Sequence, residues 1–354
     1  MDKVISFPKL DNYDIPAFYV LSHISSLKII KPSKITSKTI ELGSKYSPEF
    51  VCTPFKYTLG TFIESIEKGA NTLIQFGGGC RYGYYGELQE QILKDLYYPI
   101  TLDSLIIGGK TDIKRIIKIM KSYDPSIKLF KSIYYTLIGI QMIKYMDRID
   151  DYIRLNIGFE INKDSFINLK EEMLNDFSHA KGLINLHRLY RKYYKRFKKI
   201  PINKPKDCLK IGIIGELYTL MEPSSNYEIE KDLASHHIQI KRYTNVSYLL
   251  LKKRKLVKKY LKKLKNIKYR MGADAVDNIY HTKELCKKHY DGIIHIKSSF
   301  CTPEIAVMPI INKIAKENNV PVIFFSFDTN TSEVGIKTRL EAFYDMLEMR
   351  KYNE

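Results

Sequence analysis

The first 110 residues alternate short apolar runs with segments of helical spacing. Runs at residues 4–7, 27–30 and 73–76 predict short strands, and residues 50–52 end another apolar approach. A helix is predicted over 54–68, because Pro54 suits a first helical turn and Gly69 follows the end. A further helix is predicted over 87–96. Such alternation is typical of an α/β lobe with largely parallel strands.

The pattern changes after residue 110. Residues 111–203 carry apolar positions at helical spacing and few strand signals, which predicts a helical insertion. Residues 204–354 return to alternation and predict a second α/β lobe. The predicted elements there are strands at 209–214, 292–296 and 322–325, a basic amphipathic helix at 249–270 and a closing helix at 335–350.

Composition adds limits. The 354 residues are 44% hydrophobic, as expected of a globular protein with at least two domains. No signal-peptide layout and no run near 18 apolar residues occur, so we expect a cytoplasmic protein without a membrane span. The net charge of +19 invites a nucleic-acid interpretation. Heavy use of Lys, Ile, Asn and Tyr, with no Trp, favours compositional bias instead, while an acidic partner or anionic substrate stays compatible.

Five cysteines in a chain without an export signal argue against a disulfide framework. Cys80 follows the predicted strand at 73–76 and three glycines, which let the backbone turn tightly and let a bulky group approach. Arg81 stands beside it and a helix follows, a setting that favours thiolate.

The tripeptide Cys-Thr-Pro occurs at Cys52 and again at Cys301, each time after an apolar run and before a predicted helix. Cys52, Cys80 and Cys301 are thus predicted at carboxyl ends of strands, where α/β sheets bind ligands and helix N-termini stabilise negative charge. Two thiols from one lobe and one from the other would meet in a cleft between the lobes. Spacings typical of structural zinc or ferredoxin sites are absent. The residues alone leave open a [4Fe–4S] cluster with one open iron or three unrelated buried thiols.

Other polar residues have two interpretations each. Arg81 is predicted either to screen a cluster or hold an anionic substrate, or to form a salt bridge. Glu216 either faces the cleft as a catalytic group or caps the following turn. Asp328 and Glu333 either line the same edge or cap the last helix. His295 is interpreted as a core histidine, and Cys208 and Cys286 as structural thiols.

Three motifs carry a resemblance to a known family: Tyr46-Ser-Pro-Glu-Phe-Val-Cys-Thr-Pro-Phe-Lys, Gly77-Gly-Gly-Cys-Arg-Tyr-Gly-Tyr-Tyr and Ser299-Phe-Cys-Thr-Pro-Glu. Together they resemble the 2-hydroxyacyl-CoA dehydratase D-component family, in the branch called CoA protein activase. The resemblance runs from near residue 40 to the C-terminus and is weakest across the helical middle. It implies two Rossmann-like lobes with a helical part and a [4Fe–4S] cluster held by Cys52, Cys80 and Cys301.

The family further implies a separate ATP-hydrolysing activase, with its own cluster, that delivers low-potential electrons. Relatives dehydrate 2-hydroxyacyl-CoA or reduce acyl-CoA and other small molecules. The hypothesis for this chain is therefore a cluster-binding component of such a reductase or lyase system; the alternative is a non-enzymatic [4Fe–4S] carrier or accessory protein. A basic nucleic-acid-binding protein is a third, weaker interpretation.

This sequence departs from the pattern in three ways. It contains no P-loop or other evident ATP-binding motif, so the name activase would be misleading for this chain alone. Three thiolates are too few for a double-cubane centre, which favours a single cluster. The dehydratases pair two homologous cluster subunits, so a dimer is compatible with the resemblance, although one such subunit is present here.

Overall fold

The computed structural model describes residues 2–107, 110–264, 267 and 271–352. Within these residues the chain divides into two compact units. Unit 1 comprises Met1–Ile143 and Ser178–Leu186, and unit 2 comprises Lys144–Phe177 and His187–Glu354. The helical stretch at 111–203 therefore contributes residues to both units.

Unit 1 is built around one sheet. Its described elements are β1 (Val4–Ser6), α1 (Asp14–Ile24), β2 (Lys28–Ile29), α2 (Ser37–Tyr46), α3 (Thr53–Glu67), β3 (Thr72–Gly77), α4 (Tyr85–Asp95), β4 (Thr101–Ile107), β5 (Lys110–Thr111), α5 (Ile113–Tyr123) and the first part of α6 (Leu129–Asn156). The strand order is β2-β1-β3-β4-β5. The first four strands are parallel, and the short β5 pairs antiparallel with β4.

Unit 2 has a second sheet. Its described elements after α6 are α7 (Ser165–Ser178), α8 (Leu183–Lys198), β6 (Lys210–Gly215), α9 (Leu217–Met221), α10 (Ile229–Ser235), β7 (Gln239–Arg242), α11 (Lys253–Lys263), α12 (Ala275–Lys287), β8 (Gly292–Ser298), α13 (Thr302–Glu317), β9 (Val322–Phe327) and α14 (Glu333–Tyr352). Helices α7 and α8 each also have residues in unit 1. The strand order is β7-β6-β8-β9, and all pairs are parallel.

The two sheets share one topology. In each, the first four strands of the unit lie in the order second, first, third, fourth. Sheet growth therefore changes direction between β1 and β3 in unit 1, and between β6 and β8 in unit 2. Doubly wound folds bind ligands outside the carboxyl ends of the strands at such a point. The predicted α/β class with two Rossmann-like lobes and mostly parallel sheets is confirmed.

Helices bury both faces of each sheet, as parallel strands require. In unit 1, Leu73 of β3 packs with buried residues of α3 and α4, whereas the next residue, Ile74, packs with α1 and α5. In unit 2, Ile293 of β8 packs with α12 and α13, whereas Ile294 packs with α14. The alternation along each strand thus defines which helices cover which face of the sheet.

Several boundaries differ from the sequence-based prediction. The hydrophobic pattern does not predict α1, α2, β4 or β7. The helix predicted at 249–270 is a π-helical turn, Tyr248–Lys252, followed by α11; its residues 265, 266 and 268–270 lie outside the described residues. None of the helices in the described ranges is both long and apolar enough to cross a membrane.

Candidate functional site

Cys52 begins helix α3. It is extended (φ −71°, ψ 152°), and its carbonyl oxygen accepts the first helical hydrogen bond, from the Phe55 N–H at 2.9 Å. Pro54 occupies the first turn, where its missing N–H has no helical partner to lose. The predicted helix start is confirmed.

The predicted strand before Cys52 is wrong. Helix α2 and a turn precede this cysteine instead. Phe50, in that turn, is 67% exposed and does not enter a sheet. Helix α3 nevertheless leads into the amino end of β3. A crossover helix of this kind begins near the carboxyl edge of the sheet, so Cys52 still belongs to that edge of unit 1.

Cys80 lies on the loop after β3. The strand ends at Gly77, whose φ of +72° is left-handed, and a Cβ there would overlap the Ile106 carbonyl of β4. Only glycine fits such a position, so the predicted tight turn is confirmed at Gly77. Cys80 then starts a 3₁₀ turn, Arg81–Tyr84, and its carbonyl accepts from the Gly83 N–H at 3.0 Å. Arg81 is exposed.

Tyr85 connects Cys52 to the Cys80 loop. It is the first residue of α4, and its buried hydroxyl contacts the Cys52 Sγ. Its ring packs edge-on against Phe55, with centroids 4.9 Å apart, and lies 4.8 Å from the Tyr82 ring. Unit 1 therefore brings two of the predicted cysteine loops onto one tyrosine. Sequence reasoning missed Tyr85, and its only signal was its place at the end of the glycine-rich motif.

A buried amide pair supports both loops. The Gln75 Nε2 donates to the Gln89 Oε1 at 2.7 Å, and the Gln89 Nε2 donates to the Thr58 Oγ1 at 2.7 Å and to the Phe55 carbonyl at 3.2 Å. Both glutamines are fully buried. Buried amides need such partners, so this network holds the end of β3, α4 and the start of α3 in one arrangement.

Cys301 begins helix α13 in unit 2. It follows β8 after a two-residue loop, so it lies at the end of a strand as predicted, and its carbonyl accepts from the Ile305 N–H at 3.0 Å. The preceding loop is fixed by Asp328, whose Oδ2 accepts from the Ser299 Oγ at 2.9 Å and whose Oδ1 accepts from the Asn330 N–H at 2.8 Å. Asp328 thus lies at the same edge as Cys301 and orders the loop that carries it.

Beneath the start of α13 lies a buried polar network. The Glu304 Oε2 accepts from the Asn278 Nδ2 at 2.8 Å and pairs with the His295 Nε2 at 2.7 Å. Asn278 also bonds both backbone groups of Gly215 at the end of β6. The interpretation of His295 as a core histidine fits this arrangement. Glu304 and Asn278 were missed; Glu304 had one signal, its place three residues after Cys301.

Glu216 caps helix α9. Its carboxylate accepts from the N–H groups of Tyr218 and Thr219 at 2.8 and 2.9 Å. Burial raises the pKa of Glu216 to about 7, and the nearby charge of Asp274 adds to the increase. The predicted capping contact is present, and the same carboxyl is set to hold or release a proton near neutral pH.

The remaining thiols are buried in unit 2. Cys208 lies just before β6 and Cys286 within α12, and burial raises the pKa of Cys286. All five cysteines are described, and none forms a disulfide. Within the described ranges, no three or more His, Cys, Asp or Glu side chains are grouped closely enough to hold a metal ion. Cys52 and Cys80 belong to unit 1, and Cys301 to unit 2.

Comparison with protein families gives one match. Residues 106–347 match the model of the 2-hydroxyglutaryl-CoA dehydratase D-component, which includes Glu216 and Cys301 and begins after Cys80. A search of curated proteins found no match. Since the family model spans well over half of the chain, and the resemblance of the cysteine motifs points the same way, the protein belongs to the 2-hydroxyglutaryl-CoA dehydratase D-component family.

Proposed function

We propose that this chain is an iron–sulfur protein that accepts low-potential electrons from a separate ATP-hydrolysing activase. It would use them to reduce or dehydrate an acyl-CoA or another small molecule. Family membership supports a dehydratase-like component that works with an activase. One observation carries the proposal furthest: Cys52, Cys80 and Cys301 are all N-cap residues, each directly before the first residue of a helical segment.

The chemistry of these three donors fits a [4Fe–4S] cluster. N–H groups at a helix start stabilise a thiolate, the form in which cysteine binds iron. Three thiolates would leave one iron of a four-iron cluster open. Once bound, such a cluster would supply one-electron chemistry at low potential beside an open coordination position.

The protein's own groups have distinct proposed roles. Tyr85 and the Gln75–Gln89 pair hold the two cysteine loops of unit 1. The exposed guanidinium of Arg81, next to Cys80, would attract an anionic substrate group. Glu216 would hold a proton, because its pKa of about 7 leaves both protonation states populated at neutral pH.

Anaerobic purification followed by iron and sulfide analysis tests the proposal. We expect about four irons and four sulfides per chain, and an EPR signal on reduction. A colourless, iron-free protein after anaerobic reconstitution would refute it. In that case strong, salt-sensitive DNA binding would favour the nucleic-acid interpretation.

Turnover separates the enzyme from a carrier. With activase, ATP and a reductant, an enzyme component consumes an acyl-CoA substrate continuously. A carrier or accessory protein takes up electrons under the same conditions and forms no product. We expect ATP-dependent product formation.

A further inference from the structure

Lys297 is a lysine buried in the second sheet. It lies in β8, where it is 4% exposed. Side chains two residues apart on a strand share a face, so Lys297 lies on the face of Ile293 and His295. Ile293 packs with α12 and α13, and His295 pairs with Glu304 of α13. Lys297 therefore points toward α13, nearer the carboxyl end of the strand.

The start of α13 presents Cys301 to this lysine. Cys301 and Glu304 are three residues apart, a spacing that places side chains on one helix face. Since Glu304 lies opposite His295, Cys301 comes opposite the next residue on the same strand face, Lys297. The Lys297 Nζ also donates a long hydrogen bond, 3.4 Å, to the carbonyl of Ser299 on the connecting loop.

The surroundings do not neutralise this ammonium group well. The Glu304 Oε2 is shared by His295 and Asn278, and among the described residues no carboxylate lies within salt-bridge distance of Lys297. Burial lowers the pKa of Lys297, while Cys301 and Glu304 oppose the decrease. A poorly paired buried charge is costly, so stability alone does not explain a lysine here.

We propose that Lys297 is a positioning residue that supplies the counter-charge for the anionic group at Cys301. That group is the thiolate and, resting on the proposed function, any cluster that the thiolate ligates. The lysine is retained because it favours negative charge at this helix start, at some cost to the stability of unit 2.

The charge preference of Cys301 alkylation tests this in cluster-free protein. Iodoacetate is anionic and iodoacetamide neutral, so their rate ratio reports the local field rather than access alone. We expect Lys297→Met to lower the ratio of the iodoacetate rate to the iodoacetamide rate at Cys301 by about fivefold or more. Mass spectrometry of the peptide that contains Cys301 measures both rates. Lys297→Arg should keep the ratio, as should the control Lys316→Met on the exposed side of α13. An unchanged ratio in Lys297→Met overturns the inference.

Thermal unfolding of the same cluster-free proteins gives a second readout. Removing a poorly paired buried charge while keeping the aliphatic volume should raise the melting temperature of Lys297→Met by about 2–4 °C. Lys316→Met should not change it. A lower melting temperature in Lys297→Met would make Lys297 a structural cation and would also overturn the inference.

Both readouts are independent of iron. If wild-type protein binds no cluster but Lys297→Met shifts the rate ratio and the melting temperature as expected, the proposed function fails and the role of Lys297 stands. If wild type and Lys297→Met bind the cluster with equal reduction potentials and the rate ratio is unchanged, only the role of Lys297 fails.

Discussion

At the scale of single residues, each cysteine is defined by the group next to it. Cys52 has the Tyr85 hydroxyl, Cys80 has the guanidinium-bearing Arg81 as its neighbour in sequence, and Cys301 lies near Lys297. Hydrogen bonds and positive charge both favour a thiolate over a thiol. Each of the three cysteines therefore has a neighbour of a kind that favours the thiolate form.

Tyr85→Phe tests the first of these neighbours. The change removes the hydroxyl from the Cys52 Sγ and keeps the ring against Phe55. We expect alkylation of Cys52 at neutral pH to slow severalfold, because the thiolate loses a donor, with stability changed by about 1 kcal/mol or less. Tyr84→Phe, at a neighbouring residue that is 67% exposed, is the control. Equal rates in both variants would mean that the hydroxyl does not stabilise the thiolate.

The raised pKa of Glu216 predicts that the unfolding free energy depends on pH. Its pKa is raised in the folded protein to about 7, so the folded state binds the proton more tightly than the unfolded state. That contribution to stability is full below about pH 4.5 and is lost as the pH rises to about 7. Relative to Glu216→Gln, the wild type should lose about 1–2 kcal/mol of unfolding free energy across this range, a value reduced for partial exposure. Urea unfolding at several pH values measures it; parallel curves for the two proteins would contradict the raised pKa.

At the scale of elements, the sequence predicts those helices and strands whose buried side chains are large and apolar. The strands at 73–76, 292–296 and 322–325 and the helices starting at Cys52 and Cys301 are found because their buried side chains are Leu, Ile, Val and Phe. Helix α2 is not predicted by the sequence pattern, because it packs on α3 through backbone contacts at Gly43 and Gly60. Close approach of glycines leaves no hydrophobic period to detect.

Reliance on apolar residues also explains the wrong prediction of a strand before Cys52. The residues Phe50 and Val51 look like the end of a strand, but the chain has just left α2 and is turning into α3.

The repeated Cys-Thr-Pro marks two helix starts in different crossovers. Cys52 begins the helix that leads to the third strand of unit 1, and Cys301 begins the helix that leads to the fourth strand of unit 2. By topology the counterpart of Cys301 is Cys80, since each follows the third strand of its sheet.

Gln89→Leu tests how the elements of unit 1 hold the cysteine loops. The change leaves the Gln75 amide and the Thr58 hydroxyl without their shared partner inside the core. We expect a loss of about 1–3 kcal/mol of unfolding free energy. Gln91→Leu on the exposed side of the same helix should stay within about 0.5 kcal/mol. Equal costs at the two positions, measured by chemical denaturation, would rule out a supporting role for the buried pair.

At the scale of the whole molecule, two sheets of the same strand order carry the candidate residues at their carboxyl edges. The helical middle, predicted as an insertion at 111–203, supplies residues to both units. Part of the reason is charge: Arg154 of α6 and Arg242 of β7 both pair with Glu230, at 2.9 and 2.6 Å, which ties the latter part of α6 to unit 2. A hydrophobic pattern does not reveal a buried ion network of this kind.

The family match covers only part of the chain, residues 106–347. It covers Cys301 and Glu216 and leaves Cys52 and Cys80 to the resemblance of short motifs and to the geometry of unit 1. The proposed cluster therefore depends most on whether thiols outside the matched region act together with the one inside it.

Individual cysteine-to-serine variants of the full chain, analysed for bound iron after anaerobic reconstitution, test that dependence most directly. We expect Cys52→Ser, Cys80→Ser and Cys301→Ser each to lose most of the iron bound by the wild type. Cys208→Ser and Cys286→Ser, at thiols buried elsewhere in unit 2, should retain it. Loss of iron in Cys286→Ser as complete as in Cys80→Ser, or full retention in any of the first three, would contradict the three-cysteine cluster.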